Sequence, residues 1–146
     1  PRSTQGVSSA ASDVYKRQVD KLFDGYFRDF GNLDLDAIVG YFHLPCMFTT
    51  PFGVFVFATA AEVGGFWRPR FDDLRNHDFG HTERSEASIK VLTDDTAIAS
   101  SLATRFNKYG KQMERRGAAF TVRKTEAGWK IVALIHHSPD NVMKIS

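Results

Sequence analysis

The sequence predicts an α+β fold, a strongly curved antiparallel sheet packed on three N-terminal helices, and three observations predict it. Apolar residues from Val19 to Phe30 recur with the helical period, a Thr-x-x-Glu cap opens a further helix at Thr59, and alternation dominates from Glu86 onward. Helices first and long strands last is the order of an α+β domain, not the strict alternation of a parallel α/β sheet.

Val19, Leu22, Phe23, Tyr26, Phe27 and Phe30 fall at i, i+3, i+4, i+7, i+8 and i+11, which makes one apolar stripe on a helix that Gly31 and Asn32 end. Asp34 caps a shorter second helix with Leu35, Ile38, Val39 and Phe42 on its inner face, and Pro45 stops it. Cys46–Thr50 and Val54–Thr59 are β-branched and aromatic runs around the turn Pro51-Phe52-Gly53, so they predict a small hairpin. The Thr59 hydroxyl and Glu62 carboxylate can satisfy each other's free amides at the start of a third helix bearing Val63, Phe66, Trp67 and Phe71. After a polar stretch from Arg75 to Arg84, strands are expected over 86–92, 96–109, 113–125 and 129–137. Asp94-Asp95, Gly110-Lys111 and Glu126-Ala127-Gly128 supply the turns.

Residues 1–18 stand apart. Back-translated, Ser8 to Gln18 resembles a transposon-end adapter of sequencing libraries, and Pro1-Arg2-Ser3-Thr4 resembles the primer before it. They are expected to be read-through without structure, with a single domain over 19–146. Of nineteen basic and seventeen acidic residues, Arg2, Lys16, Arg17 and Asp13 lie in this segment, so the remainder is balanced at sixteen of each. Balance removes any electrostatic case for nucleic acid. No apolar run reaches the ~18 residues of a membrane span, so no membrane partner is expected. The lone Cys46 excludes an internal disulfide and fits a reducing, cytoplasmic compartment.

The words Leu35-Asp36-Ala37-Ile38-Val39, Thr50-Pro51, Thr59-Ala60-Ala61 with Phe66, Phe120-Thr121-Val122-Arg123-Lys124 and Gly128-Trp129-Lys130-Ile131, closed by His137, resemble the nuclear transport factor 2-like superfamily. That superfamily includes ketosteroid isomerases, SnoaL-like polyketide cyclases and scytalone dehydratase. The resemblance covers nearly all of Val19 to Pro139. It implies a cone, or cystatin-like roll, whose sheet wraps the helices around a mostly apolar pocket, and it implies frequent dimers. Aligned without gaps from Tyr26 to Trp67, the isomerase's donor tyrosine falls on Tyr26, but its carboxylate base falls on Thr50 and its second donor near Phe120. A threonine hydroxyl has no useful pKa near neutrality and a phenyl ring donates nothing, so inherited isomerase chemistry is not expected.

Strand parity supplies the other candidates. If Phe120 and Val122 face the core, Ala118 and Arg116 share that face. The same reasoning puts Ser100, Leu102, Thr104 and Phe106 inward on the preceding strand and Ala133, Ile135 and His137 inward on the last. The expected pocket is therefore lined by Phe48, Thr50, Phe66, Trp67, Ser100, Thr104 and Phe120. Tyr26 and His137 are the candidate catalytic pair, though His137 reads first as a rim residue bonded to the Ser138-Pro139 turn. Tyr41 and His43 are lesser candidates for dehydratase chemistry. His77 and His81 have a metal-like spacing on a helix, but Gly80 argues for a loop, so neither metal nor cofactor is expected. Arg115-Arg116 and Arg123-Lys124 are interrupted by Glu114 and Glu126 and read as a solvated strand edge or a subunit contact. The leading expectation is a protein that binds a small apolar molecule. The alternatives are a cofactor-independent dehydratase or isomerase using His137 and Tyr26, and a homodimeric association module whose sheets meet at Ala99, Ala103 and Ala119.

Overall fold

The second and third predicted helices form at their caps. The computed structural model describes residues 7–145. Asp34 accepts a hydrogen bond from the Ala37 amide at the start of α2 (Leu35–Val39), and Thr59 and Glu62 form the reciprocal capping box at the start of α3 (Ala60–Asn76). The first helix, α1 (Ser9–Gly31), starts ten residues before the predicted apolar stripe. Its extra turns are packed: Gln18 Oε1 accepts from the Trp129 indole at 2.8 Å, and the Tyr15 ring meets Trp129 edge-on at 5.8 Å. Disorder over residues 1–18 is thus corrected from Ser9 onward, because these side chains find partners on the sheet, while Pro1–Gly6 lie outside the described residues.

The strands are β1 (Phe42–Thr50), β2 (Gly53–Phe57), β3 (Phe79–Thr93), β4 (Thr96–Asn107), β5 (Gln112–Thr125) and β6 (Gly128–His137). Phe42 opens β1 instead of extending α2, which Gly40 caps. β3 absorbs half of the polar stretch; its polar residues tolerate an edge position because β4 pairs with it over its length. The six strands form one curved sheet in the order β2-β1-β6-β5-β4-β3. All neighbours are antiparallel except β1 and β6, which run parallel. Such a pair needs a long crossover, here everything from β2 to β5.

Two features decide which residues face the helices. In β6, Ile131 pairs with Val122 but Ala133 pairs with Thr121, so Val132 is an extra residue and parity reverses there. Leu134 and His136 consequently turn inward with Phe120 and Ala118, and Ala133, Ile135 and His137 turn outward. In β4, Ala99, Ser101 and Ala103 pair with Phe120, Ala118 and Arg116 and share their inward face. Ser100, Leu102 and Thr104 therefore lie on the outer face. Ser100 and Leu102 are nevertheless buried; the Met143 amide donates to Ser100 Oγ at 2.9 Å where the C-terminal segment crosses the sheet. Burial on both faces is why alternation misled on this strand.

Against the inner face pack Phe23, Tyr26 and Phe30 of α1 and Phe66, Trp67 and Phe71 of α3, meeting Phe42, Phe48 and Phe120 of the sheet. No described helix is long and apolar enough to cross a membrane. On the outer face the His137 ring lies over Gly117. A Cβ added there would collide with that ring and come within 2.7 Å of the Ser138 carbonyl oxygen. Gly117→Ala is expected to destabilise the fold by about 1–3 kcal/mol, the usual result of overpacking, read as a lowered Tm. An unchanged Tm would show that His137 and the C-terminal segment are not seated on this strand.

Candidate functional site

Five residues form a neck between two cavities. Phe30 from α1, Trp67 from α3, Arg105 from β4, Arg116 from β5 and His136 from β6 line both an inner cleft and an outer vestibule. The cleft also meets Tyr26, Thr82 and Phe120, and it has room for the centre of a water molecule over only about 20 Å³, roughly one water. The vestibule is far larger, about 410 Å³, and adds Thr50, Pro69, Arg70 and Leu74. Aromatic side chains fill the deep cone, so the usable space lies outside the neck.

The neck is cationic. Arg105 donates to Glu114 Oε1, and Arg116 Nη2 lies 3.5 Å from Glu114 Oε2, so one carboxylate serves two guanidinium groups. Arg70 folds back along α3, donating to the Phe66 carbonyl at 2.7 Å with its guanidinium 3.6 Å from the Phe66 ring centre. Burial, reinforced by Arg116, lowers the Arg105 pKa to about 10, which leaves it charged at neutrality. Burial also lowers Arg116 and Arg70. Three buried side-chain atoms around the cleft have no hydrogen-bond partner: Trp67 Nε1, Arg105 Nε and Thr82 Oγ1. Such groups are costly unless something supplies the missing acceptor.

Of the predicted site residues, Tyr26, Trp67 and Phe120 reach the cleft and Thr50 reaches the vestibule. Tyr26 is 3% exposed, and burial raises its hydroxyl pKa well above the ordinary tyrosine value. Thr50 Oγ1 mainly holds its turn, accepting from the Phe52 amide and donating to the Gly53 carbonyl. Phe48 and Phe66 line neither cavity; both are packed in the aromatic core. Ser100 and Thr104 are on the outer face. His137 is there too, its Nδ1–H donating to the Ser138 carbonyl at 2.7 Å. Tyr41 donates to Asp29 at 2.6 Å at the far side of α1, and His43 Nδ1 bonds the Pro45 carbonyl. His77 ends α3 and His81 lies on β3, so the helical spacing is not realised. Sequence reasoning missed His136 and Arg105. Arg116 on the parity of Phe120 was the available signal that the inward face carries charge.

His136 is the titratable group most changed by its surroundings. Burial is the main cause, with Arg116, Arg105, Arg70 and His137 adding to it, and its pKa falls from the ordinary 6.5 to about 3. Tyr26, Asp73 and Glu114 complete the polar set around the two cavities. The imidazole is neutral when folded, whereas the unfolded chain takes up a proton below about pH 6.5. Stability present above pH 6.5 is therefore lost as pH falls toward 3, with a slope of up to about 1.4 kcal/mol per pH unit. Asp29, Glu62 and Asp95 are held below the usual carboxylate range and act mainly at lower pH. Between pH 7 and 5 the Tm of the natural chain should fall, and His136→Gln should flatten that fall. Identical pH profiles would refute a neutral buried His136.

No curated protein matches the chain in sequence. Solved structures match its fold. An NTF2-like protein with a cystatin-like fold from Novosphingobium aromaticivorans superposes with a TM-score of 0.72 at 17% identity, over 86% of this chain and 82% of that one. An NTF2-like protein from Pseudomonas putida gives 0.70 at 14% identity over 92% and 90%. A ketosteroid isomerase-like protein from Erwinia carotovora atroseptica gives 0.65 at 17% identity over 82% and 92%. The profile described as NTF2-like protein (DUF6841) matches residues 16–139, and the chain belongs to that NTF2-like family.

Proposed function

We propose that the chain binds a small, partly apolar molecule in the vestibule, with the ligand's polar end at the neck. The observation that carries this reading is the pair of unpartnered buried groups, Trp67 Nε1 and Arg105 Nε, on two residues that line a cavity of about 410 Å³. A folded chain that leaves such groups unsatisfied gains free energy when a ligand satisfies them. The small apolar ligand expected from sequence, met by the Tyr26 hydroxyl alone inside the cone, fits this cationic lining less well. Catalysis through Tyr26 and His137 requires both in one cavity, but they occupy opposite faces of the sheet, which favours binding over that chemistry. Native mass spectrometry of freshly purified protein should show a retained small molecule that Trp67→Ala releases. Consistently unliganded protein, with no change in Trp67 fluorescence on screening small aromatic compounds in a Trp129→Phe background, would overturn the reading.

A second reading concerns assembly. Met47, Val54, Val56 and Ile135 are 42–67% exposed and lie together on the outer face of β1, β2 and β6. A contiguous apolar stripe of this kind marks an association surface. Ala99 and Ala103, expected at such a contact, face inward instead, and only Ala119 faces outward. The exposed stripe supports a homodimer joined through the sheet. Light scattering should give a dimer mass for the natural chain and a monomer for Val56→Lys combined with Ile135→Lys; a monomeric natural chain at its highest soluble concentration would remove this reading.

A further inference from the structure

We propose that the polar end of the ligand is a carboxylate, held as a monoanion at the neck by Arg116, Arg105 and Trp67, with a flat apolar body lying in the vestibule against Pro69 and Leu74. This deepens the binding reading and rests on it.

Three features select that chemistry. First, the unpartnered atoms on the neck residues are donors: the Trp67 indole and the Arg105 Nε–H can only donate. A ligand that brings its own donors cannot satisfy them, whereas a carboxylate with two oxygens can. Second, the charge count around the two cavities is Arg70, Arg105 and Arg116 against Asp73 and Glu114, with His136 neutral, which leaves a single uncompensated positive charge. One negative charge balances it; a phosphate dianion would overshoot. Third, the inner cleft is too small for more than about one water beyond the neck. The charged group must therefore stop at the neck, and the body must extend outward past Trp67. Guanidinium groups suit this arrangement because their planar forks match a carboxylate edge.

The test compares sodium benzoate with its neutral isostere benzamide and with phenyl phosphate, titrated calorimetrically into the full chain. Benzoate should bind about ten-fold or more tightly than benzamide, as a hydrogen bond to a charged group implies. Arg116→Gln, chosen because Arg116 is the more exposed of the two guanidinium groups paired with Glu114, should weaken benzoate far more than benzamide and so abolish that preference. Trp67→Phe, which keeps a ring and removes the donor, should weaken benzoate several-fold and benzamide little. Equal affinity for benzoate and benzamide, tighter binding of phenyl phosphate, or equal weakening of both ligands by Arg116→Gln would overturn the carboxylate assignment. Failure of every probe to bind would overturn it as well. A retained molecule in native mass spectrometry would then show that the binding reading survives without it.

Discussion

The structure depends on Trp67. From α3 its ring meets Phe30 of α1 at 5.6 Å, Phe42 and Phe48 of β1 at 6.3 and 5.8 Å, and His136 of β6 at 6.3 Å. One side chain thus ties two helices to two parallel strands that have no short connection between them. The contacts with Phe30 and His136 are edge-on and those with Phe42 and Phe48 tilted, and such pairs add a directional preference to the burial of large apolar area. They hold α3 at a fixed distance from the sheet, and that distance sets the width of the neck. The same indole leaves its N–H buried without a partner, in a residue that closes the core and lines both cavities.

Filling the cone with aromatic rings has an electrostatic consequence. A wide wet pocket would hydrate Arg105, Arg116 and His136 and leave them near their ordinary proton affinities. Here Phe30 and Trp67 exclude water on one side, and the sheet excludes it on the other. Both guanidinium groups and the imidazole are pushed toward their neutral forms, and only His136 goes all the way at neutral pH. Glu114 offsets part of the repulsion but serves two arginines at once. The site accepts a stability cost of the kind a ligand can relieve, consistent with unpaired polar groups gathering at functional positions.

Much of the fold was legible in the sequence because its signals are local. The capping box at Thr59 and Glu62, the cap at Asp34 and the turns at Gly110 and Gly128 act within a few residues, and each appears where the spacing placed it. The site was less legible. Tyr26, Trp67, Phe120 and Thr50 line the cavities and lie on a regular helical stripe, on a strand of regular parity or at a strand end. Phe48 and Phe66 were read as lining when they are core, since an aromatic on an inward face fits either place. The segment before Val19 was set aside because it resembles an adapter sequence, yet it is helical from Ser9 and stabilised by distant partners, Trp129 above all.

The sequence by itself determined the layers, the strand order in time and the inward parity of β5, because periods of 3.6 and 2.0 residues are properties of the chain at each point. Only the tertiary structure decided which histidine meets the cavity. A single extra residue at Val132 in β6 reverses the parity of everything after it, sending His136 inward and His137 onto Gly117. It likewise decided the face of β4, because Ser100 and Leu102 are buried on the outer face, Ser100 in contact with the C-terminal segment, and this erases the alternation that would have marked Arg105 as inward. A bulge arises from pairing with a neighbouring strand and two-sided burial from a remote segment, and neither is written in the local pattern of the strand it affects.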